Sequence, residues 1–489
     1  MRILLINPPH PSIGSRLPGE HLPPLGLLSI GGPLLDQGYE VKLLDAEFGP
    51  MAIGEIAAET SKYQPALVLL GHSGSTSAQP VISTLTKQIR QQNPSIKIVI
   101  GGVFPTYHWH EILETEPQID YIVCGEGEET IVTLVRAIEN EFPLELIRGI
   151  ALRSGGRVIK TPPVPHIKDL NAYRVGWELM GDYHYTYWGK RKAVVIQFSR
   201  GCPHSCSYCG QRLFWGTWRH RDPQLLADEI EMLHEKYGVE VINFADENPS
   251  ANQKEWIKFL NALIRKNLKL VLVGSIRADT IVRDAGYLHL YKKAGFERFL
   301  LGIENYDESV LEKIKKGGSI AKDRQAIQLL RMNNILSMAT YVVGFGEETF
   351  RSFYNGLRQL LLYDPDQIQL LYVTPHQWTP FFEEIKDRRI LQPDQSKWDY
   401  KHQVLTMEHL EPWKVILAVK LIELIMQIRP SALRRLFFHQ DTRLRNAMRW
   451  YTDIGRKVWF YELFQFFFKD RVRSTGMKLA EFWQTTRPS

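Results

Sequence analysis

Three of the chain's four cysteines, Cys202, Cys206 and Cys209, fall within eight positions, spaced Cys-x3-Cys-x2-Cys. A strand-like run, Ala193 to Phe198, leads into them. Gly201 and Pro203 rule out a helix at the start, so the cysteines belong to a loop. Three thiolates on one short loop can hold three irons of a four-iron cluster and leave the fourth iron open. An open coordination position is where a small molecule binds, the feature that separates catalytic from structural metal sites. Two plainer readings stand beside this one: a zinc site, or three unrelated core cysteines. Zinc wants a fourth ligand and commonly shows paired Cys-x2-Cys units. His204 could supply that ligand, but it lies inside the loop itself, where the geometry is poor. Spacing and loop context favour the cluster.

The elements that must position this loop are legible as two runs of alternating strand and helix. In residues 1–150, buried-strand patterns recur at Ile3–Asn7, Tyr39–Leu44, Ala66–Gly71, Ile96–Ile100 and Tyr121–Cys124. Helical stretches lie near Leu25–Asp36, Ile53–Ser61, Pro80–Gln92 and Glu129–Asn140. Such alternation predicts a parallel sheet covered on both faces, with ligands at the carboxyl ends of the strands. The small-residue loops stand there: Pro8-Pro9, Gly71 through Ser73, Ser75 and Thr76, Gly101-Gly102, and Gly125-Glu126. Glycine at a strand end lets the backbone approach a large flat ligand. Neither Gly-x-Gly-x-x-Gly nor Gly-x4-Gly-Lys-Ser/Thr is present, which argues against a nicotinamide cofactor or a nucleoside triphosphate.

Residues 151–190 read as a linker, with a hairpin-like segment (Gly149–Lys160), the stiff run Pro162-Pro163-Val164-Pro165, and a tyrosine-rich stretch (Leu179–Trp188) expected to pack an interface. From 191 to 400 six strand–helix units follow, with strands at Ala193–Phe198, Val239–Ala245, Leu270–Ile276, Arg298–Ile303, Ser337–Phe345 and Gln367–Val373. They predict an incomplete parallel barrel with its site at the strands' carboxyl ends. Residues 401–489 are helical in pattern and rich in aromatics and arginine. Across 489 residues, 44% hydrophobic and 23% charged content describes an ordinary globular protein, and a net charge of +6 without a strongly basic block calls for no nucleic acid. Four cysteines make no disulfide framework and fit a reducing cytoplasm, with Cys124 a core residue. The N-terminal apolar run is too short for a signal peptide, and no stretch reaches the roughly 18 apolar residues of a membrane span.

Cys-x3-Cys-x-aromatic-Cys after a strand resembles the signature of the radical S-adenosylmethionine enzymes. The resemblance implies that Cys202, Cys206 and Cys209 hold a [4Fe–4S] cluster whose open iron chelates S-adenosylmethionine, with Tyr208 near the adenine. It implies contacts from successive strand ends: Asp246, Glu247 and Asn248 to the methionyl ammonium, Ser275 and Arg277 near the methionyl carboxylate, Glu304 to the ribose, and Gly344 and Gly346 in a lining loop. The preceding flavodoxin-like (Rossmann-type) domain resembles the cobalamin-binding domain of the cobalamin-dependent branch. That resemblance makes Pro8, Pro9, Gly71, Ser73, Ser75, Thr76, Gly101, Gly102, Gly125 and Glu126 the cobalamin-binding candidates. No Asp-x-His-x-x-Gly is present, so a histidine of that loop does not hold cobalt from below.

Arg212-Leu213-Phe214-Trp215, Tyr372 through Phe381 and Trp398 through Gln403 resemble a narrower group, the anaerobic oxidative cyclases of magnesium-protoporphyrin IX monomethyl ester. This implies a magnesium-porphyrin substrate, with His376, Trp378 and His204 as catalytic or substrate candidates and Tyr187 as a further proton carrier. It also implies an electron donor such as flavodoxin or ferredoxin, and allows a peripheral membrane contact. The implied chemistry runs from one-electron cleavage of S-adenosylmethionine, through hydrogen abstraction from the propionate methyl ester side chain, to a water-derived ketone and closure of a fifth ring. Two rivals share the architecture: a cobalamin-dependent methyltransferase of an unactivated carbon, and a non-catalytic cobalamin-binding sensor or assembly factor.

Overall fold

The computed structural model describes residues 1–9, 19–71, 76–469 and 474–485. Two seven-stranded sheets organise it. The first contains β1 (Arg2–Asn7), β2 (Glu40–Asp45), β3 (Leu67–Gly71), β4 (Lys97–Gly101), β5 (Tyr121–Val123), β6 (Ile150–Ser154) and β7 (Arg157–Lys160), in the order β2-β1-β3-β4-β5-β6-β7. The first five are parallel, and both faces are buried, so their cores read as continuous apolar runs such as Ile3–Ile6 and Leu67–Leu70. β6 and β7 form an antiparallel hairpin on the free edge of β5. Sequence placed this hairpin in the linker; it belongs to the first sheet, because Ile150, Ala151 and Leu152 bury fully beside β5. A helix over Val103–Thr115 joins β4 to β5 and was not anticipated. Pro105 and a run of aromatics and histidines hide its period, although a parallel crossover requires such a connection.

The second sheet holds β8 (Thr186–Tyr187), β9 (Arg191–Ile196), then, after the short pair β10 (Ser199–Arg200) and β11 (Arg219–His220), β12 (Val241–Phe244), β13 (Val271–Ile276), β14 (Phe296–Glu304), β15 (Leu336–Val343) and β16 (Gln367–Tyr372). Its order is β16-β15-β14-β13-β12-β9-β8. The six strands from β9 to β16 are all parallel, the predicted partial (β/α)6 barrel, with β8 antiparallel at one edge. Helix ends are set by side chains: Asp222 accepts from the amides of Gln224 and Leu225 ahead of Pro223–Tyr237, and Gly238 ends that helix with a positive φ. The C-terminal part is helical, with Pro412–Ile428, Pro430–Phe438 and Thr442–Phe464 packed across the barrel's β16 side.

The tyrosine-rich stretch does pack the junction of the two sheets. Tyr185 Oη donates to Asp45 Oδ2 at 2.8 Å, and Tyr183 Oη accepts from the Asp45 amide at 3.0 Å. Asn7 Nδ2 completes the set at 2.7 Å from Asp45 Oδ1. A buried carboxylate with this many donors ties the carboxyl ends of β1 and β2 to the barrel's entry segment.

Candidate active site

The cluster loop leaves the sheet after β9 and returns before β12. Its base is pinned by the two-residue ladder in which Ser199 pairs with His220 and Arg200 with Arg219. Gly201 turns the chain with φ +85°, and a Cβ there would sit 2.5 Å from the Thr217 carbonyl oxygen, so the position requires glycine. Further along, the Ser207 amide donates to the Ile314 carbonyl at 2.9 Å, and the Ser207 carbonyl accepts from the Phe381 amide at 3.0 Å. The loop is therefore held by backbone from the barrel on both sides. Gly201→Ala adds about 1–3 kcal/mol of backbone strain to a clash against main-chain atoms that cannot swing away. The expected result is a folded protein that takes up little iron on anaerobic reconstitution, read by iron and sulfide analysis. Normal uptake would show that the loop tolerates the turn being rebuilt.

Cys202, Cys206 and Cys209 are free thiols that line one cavity of about 820 Å³. Among the described residues no three His, Cys, Asp or Glu side chains are placed to hold a single metal ion. A mononuclear zinc site needs such convergence, whereas each thiolate of a four-iron cluster holds a different iron. Burial raises the thiol of Cys202 and pushes that of Cys209 up to about 12. Metal binding at thiols like these would release their protons. The donor set fits a cluster.

The strand ends meet the cavity in turn. Asp246 lines it, but its oxygens are taken: Oδ2 accepts from the Phe198 amide at 3.0 Å, and Oδ1 from the Ser199 amide at 2.6 Å and the Ser199 hydroxyl. This carboxylate staples the end of β9 to β12, and burial lifts it to about 6. Glu247 is the carboxylate presented to the cavity; its side chain is open to that space yet ringed by protein, and the enclosure together with Asp246 raises it to about 7. Asn248 lies behind the wall, with Oδ1 buried and unpartnered. Ser275 lines the cavity. Arg277 also lines it, but grips Asp279 (3.0 and 2.9 Å) and the carbonyls of Lys316 and Gly317 (2.8 and 2.9 Å); its remaining nitrogen lies 4.0 Å from Cys206 Sγ.

Glu304 closes β14 in a left-handed conformation (φ +60°) at a register irregularity. Its Oε1 accepts from Tyr208 Oη at 3.0 Å and from Lys316 Nζ at 3.0 Å. Gly302 makes room for that pair: a Cβ there would lie 2.5 Å from Glu304 Oε1 and 2.7 Å from Lys316 Nζ. Tyr208 in turn packs on Phe345 at 4.8 Å, in the loop of Gly344, whose φ is +99°, and Gly346. His204 lines the cavity, its imidazole pushed down by burial and by Arg277. Lys316, Arg298, Asn7, Glu47, Gln369 and Tyr451 also line the cavity and were not singled out from sequence. The period-2 alternation Arg298, Leu300, Gly302, Glu304 along β14 is the signal that marks inward-facing positions.

His376 and Trp378 lie apart from this cavity, at the junction of the two sheets. His376 Nδ1 is 3.3 Å from Thr76 Oγ1 and Nε2 is 2.6 Å from Tyr400 Oη. Burial, with His108 nearby, drops its imidazole to about 3, so it stays neutral. Trp378 donates to the Gly210 carbonyl at 2.8 Å, next to the last cluster cysteine, and stacks flat on Tyr107 at 5.6 Å. Together they clamp the cluster loop to the first domain.

The glycine-rich strand ends of that domain are described at Gly71, Thr76, Gly101, Gly102 and Gly125; Ser73 and Ser75 lie outside the described residues. A Cβ at Gly71 would press on Leu27 at 3.0 Å, and Gly102 and Gly125 adopt φ +116° and +92°. Pro8 and Pro9 follow β1. Gly71 and Gly101 give room to Leu27 and Val123, whereas at Gly125 a Cβ would meet nothing within 4 Å, so the backbone there is open to a ligand. Glu126 is placed differently: Oε1 pairs with Arg200 at 3.0 Å and Oε2 with Arg219 at 2.8 Å, and the Ile167 amide donates to it at 2.7 Å. It bridges the domains. Because Asn7 and Glu47, at the carboxyl ends of β1 and β2, line the same cavity as the cysteines, the ligand ends of both sheets face one space.

Comparison with known proteins agrees with this arrangement. The B12 binding domain family matches residues 15–135 and the Radical SAM superfamily matches residues 196–355. The chain is 56% identical, over 99% of its length and 97% of the relative's, to an anaerobic magnesium-protoporphyrin IX monomethyl ester cyclase of Synechocystis sp.. It is 32% identical, over 79% of its length and 70% of the relative's, to the protein of that name from Rubrivivax gelatinosus. Its fold matches that of the cobalamin-dependent S-adenosylmethionine radical enzyme OxsB, solved with aqua-cobalamin and S-adenosylmethionine bound, with a TM-score of 0.70 at 16% identity, covering 94% of this chain and 72% of that one. Two sheets whose ligand ends share one thiol-lined cavity, together with near full-length identity of this order, place the chain in the cobalamin-dependent radical S-adenosylmethionine enzyme family, in the group of the anaerobic magnesium-protoporphyrin IX monomethyl ester cyclases.

Proposed function

We propose that this enzyme closes the fifth, isocyclic ring of magnesium-protoporphyrin IX monomethyl ester oxidatively and without molecular oxygen, with a [4Fe–4S] cluster, S-adenosylmethionine and cobalamin as cofactors. The observation that carries the reading is the single cavity shared by Cys202, Cys206 and Cys209 with Asn7 and Glu47. When bound, these cofactors supply one-electron cleavage of S-adenosylmethionine, hydrogen abstraction and further oxidation of the substrate carbon. The chain's own residues orient and enclose. The three thiolates hold the cluster. Glu247 receives the methionyl ammonium. Glu304, fixed by Lys316, faces the ribose, and Tyr208 against Phe345 borders the adenine. Gly71, Gly101, Gly102 and Gly125 seat the corrin. Tyr187 and His204, both lining the cavity, are the groups placed to move protons, whereas His376 positions the loop. A small one-electron protein such as flavodoxin or ferredoxin supplies the electron, and four free cysteines suit the reducing cytoplasm.

The test is anaerobic reconstitution with iron, sulfide and cobalamin, followed by turnover with the magnesium-porphyrin ester. The expected products are 5′-deoxyadenosine and the five-ring pigment, with labelled water entering the ketone. 5′-Deoxyadenosine without pigment overturns the cyclase, and transfer of a labelled methyl group makes it a methyltransferase.

The C-terminal helices offer an apolar surface for a peripheral membrane contact. Among the described residues no helix is long and apolar enough to cross a membrane. Trp413, Leu417, Leu421, Leu424 and Ile428, spaced three and four apart, form one exposed face of Pro412–Ile428. Phe460, Phe464 and Phe468 form a second beyond it. Lys414, Arg434 and Lys469 supply positive charge for anionic headgroups. Full-length protein is expected to sediment with phosphatidylglycerol vesicles, and the pair Leu417→Glu and Leu421→Glu to weaken binding by about tenfold or more, given ~1.5–3 kcal/mol per buried leucine. Unchanged sedimentation would rule the face out.

A further inference from the structure

Arg298 lines the cavity from β14, on the barrel's inner surface, together with Met338, Thr340, Gln369, Tyr187 and Tyr451. It is only 6% exposed. Its Nε is buried without a hydrogen-bond partner, and one terminal nitrogen meets nothing better than Met338 Sδ at 3.2 Å. The guanidinium lies 5.4 Å over the Trp188 ring. No carboxylate of a described residue pairs with it within 4.0 Å. Glu297, its neighbour in sequence, is engaged by Trp188 Nε1 at 2.8 Å and by Arg191 at 3.9 Å.

The cavity's other cations differ. Arg277 is consumed by Asp279 and Lys316 by Glu304. Arg212, beside the cluster loop, is half-buried on a four-residue helix and keeps access to solvent. An enclosed guanidinium without a carboxylate partner is costly, and an anion beside it removes that cost. The Tyr187 hydroxyl and the Gln369 amide line the same cavity as further partners for an anion, while the Thr340 and Tyr451 hydroxyls donate to the carbonyls of Leu301 (3.3 Å) and Ile368 (3.5 Å).

We propose that Arg298 is the substrate-carboxylate site: it binds the free propionate of the porphyrin and so selects the monomethyl ester from the dimethyl ester. This rests on the porphyrin reading above. A monomethyl ester carries one esterified and one ionised propionate on an otherwise apolar ring. A fixed cation thereby sets which side chain lies toward the cluster end of the cavity, since only the ionised one belongs at Arg298.

The test uses reconstituted full-length protein and the two esters, with binding read from the porphyrin's absorbance and fluorescence. Wild type is expected to bind the monomethyl ester about 10- to 100-fold more tightly than the dimethyl ester, the range for one charge-assisted contact. Arg298→Gln should lose that factor for the monomethyl ester alone, bringing the ratio near one. Arg298→Lys should keep part of it. S-adenosylmethionine binding, measured alongside, should stay unchanged and reports that the barrel is folded. Equal weakening of both esters in Arg298→Gln assigns the residue a packing role and overturns the proposal. So does a wild-type ratio near one with no effect of either variant, which leaves the cyclase reading standing. Wild type that binds neither ester overturns both.

Discussion

Cys206→Ala is expected to abolish S-adenosylmethionine cleavage. Cys206 is buried at the centre of the loop, with Arg277 4.0 Å from its sulfur, and Cys202 and Cys209 border the same cavity. Two thiolates leave two irons of a four-iron cluster without protein ligands. Loss of an outer hydrogen-bond partner of a metal ligand costs about 10–100-fold, and loss of the ligand itself should exceed that. The measurements are iron content, the broad visible absorbance of the cluster, and 5′-deoxyadenosine formed under reducing, oxygen-free conditions; all three should fall to background. Cys124→Ala is the control. Cys124 packs in the core beyond β5, its thiol pushed up to about 11 by burial, and the variant should keep its iron. Normal cleavage by Cys206→Ala would remove the basis of the whole assignment.

Glu126→Ala is expected to undock the two domains. Its carboxylate is nearly inaccessible and holds Arg200 and Arg219, which form the ladder at the base of the cluster loop. Burial opposes the charge, but the two guanidiniums win and hold this carboxyl below its usual range. Removing it leaves enclosed cations with too few partners; Glu128 still reaches Arg200, while Arg219 keeps only the carbonyls of Thr217, Ile167 and Trp215. Breaking a buried pair from one side costs about 3–5 kcal/mol. Urea unfolding should show the loss, and limited proteolysis should cut more readily at the connector Pro162–Pro165. If cobalamin retention falls while stability and proteolysis stay normal, Glu126 contacts the corrin and the bridge is secondary.

The strands and most helices were readable in advance because their cause is local. Burial on both faces forces continuous apolar runs, and parallel pairing forces a helix between them. The longest helix that the sequence pattern does not show, Val103–Thr115, has its period blurred by Pro105 and by aromatics that pack against Trp378 and Trp483 instead of a uniform core; the short helices Arg212–Trp215, Ala278–Arg283 and Pro380–Ile385 span too few turns to leave a pattern. The grouping of Cys202, Cys206 and Cys209 was equally plain, since three thiols in one loop need no folding to become neighbours.

What the chain's order of residues could not reveal is how strand-end side chains divide their labour. Asp246 and Glu247 are adjacent in the loop after β12 and both line the cavity, yet the amides of Phe198 and Ser199 take up the oxygens of Asp246 while the side chain of Glu247 stays open to that space. Glu126 stands in a glycine-rich strand-end loop and also bridges the two domains through Arg200 and Arg219; His376 is held between Thr76 and Tyr400. Arg298 carried no motif at all. Local chemistry and spacing were enough to specify the cluster, the two α/β layers and the cofactor class. Which charges remain unpaired was settled only when the sheets met, because ion pairing depends on short distances between residues that lie far apart in the chain, as Arg219 and Glu126 or Arg191 and Glu297 do.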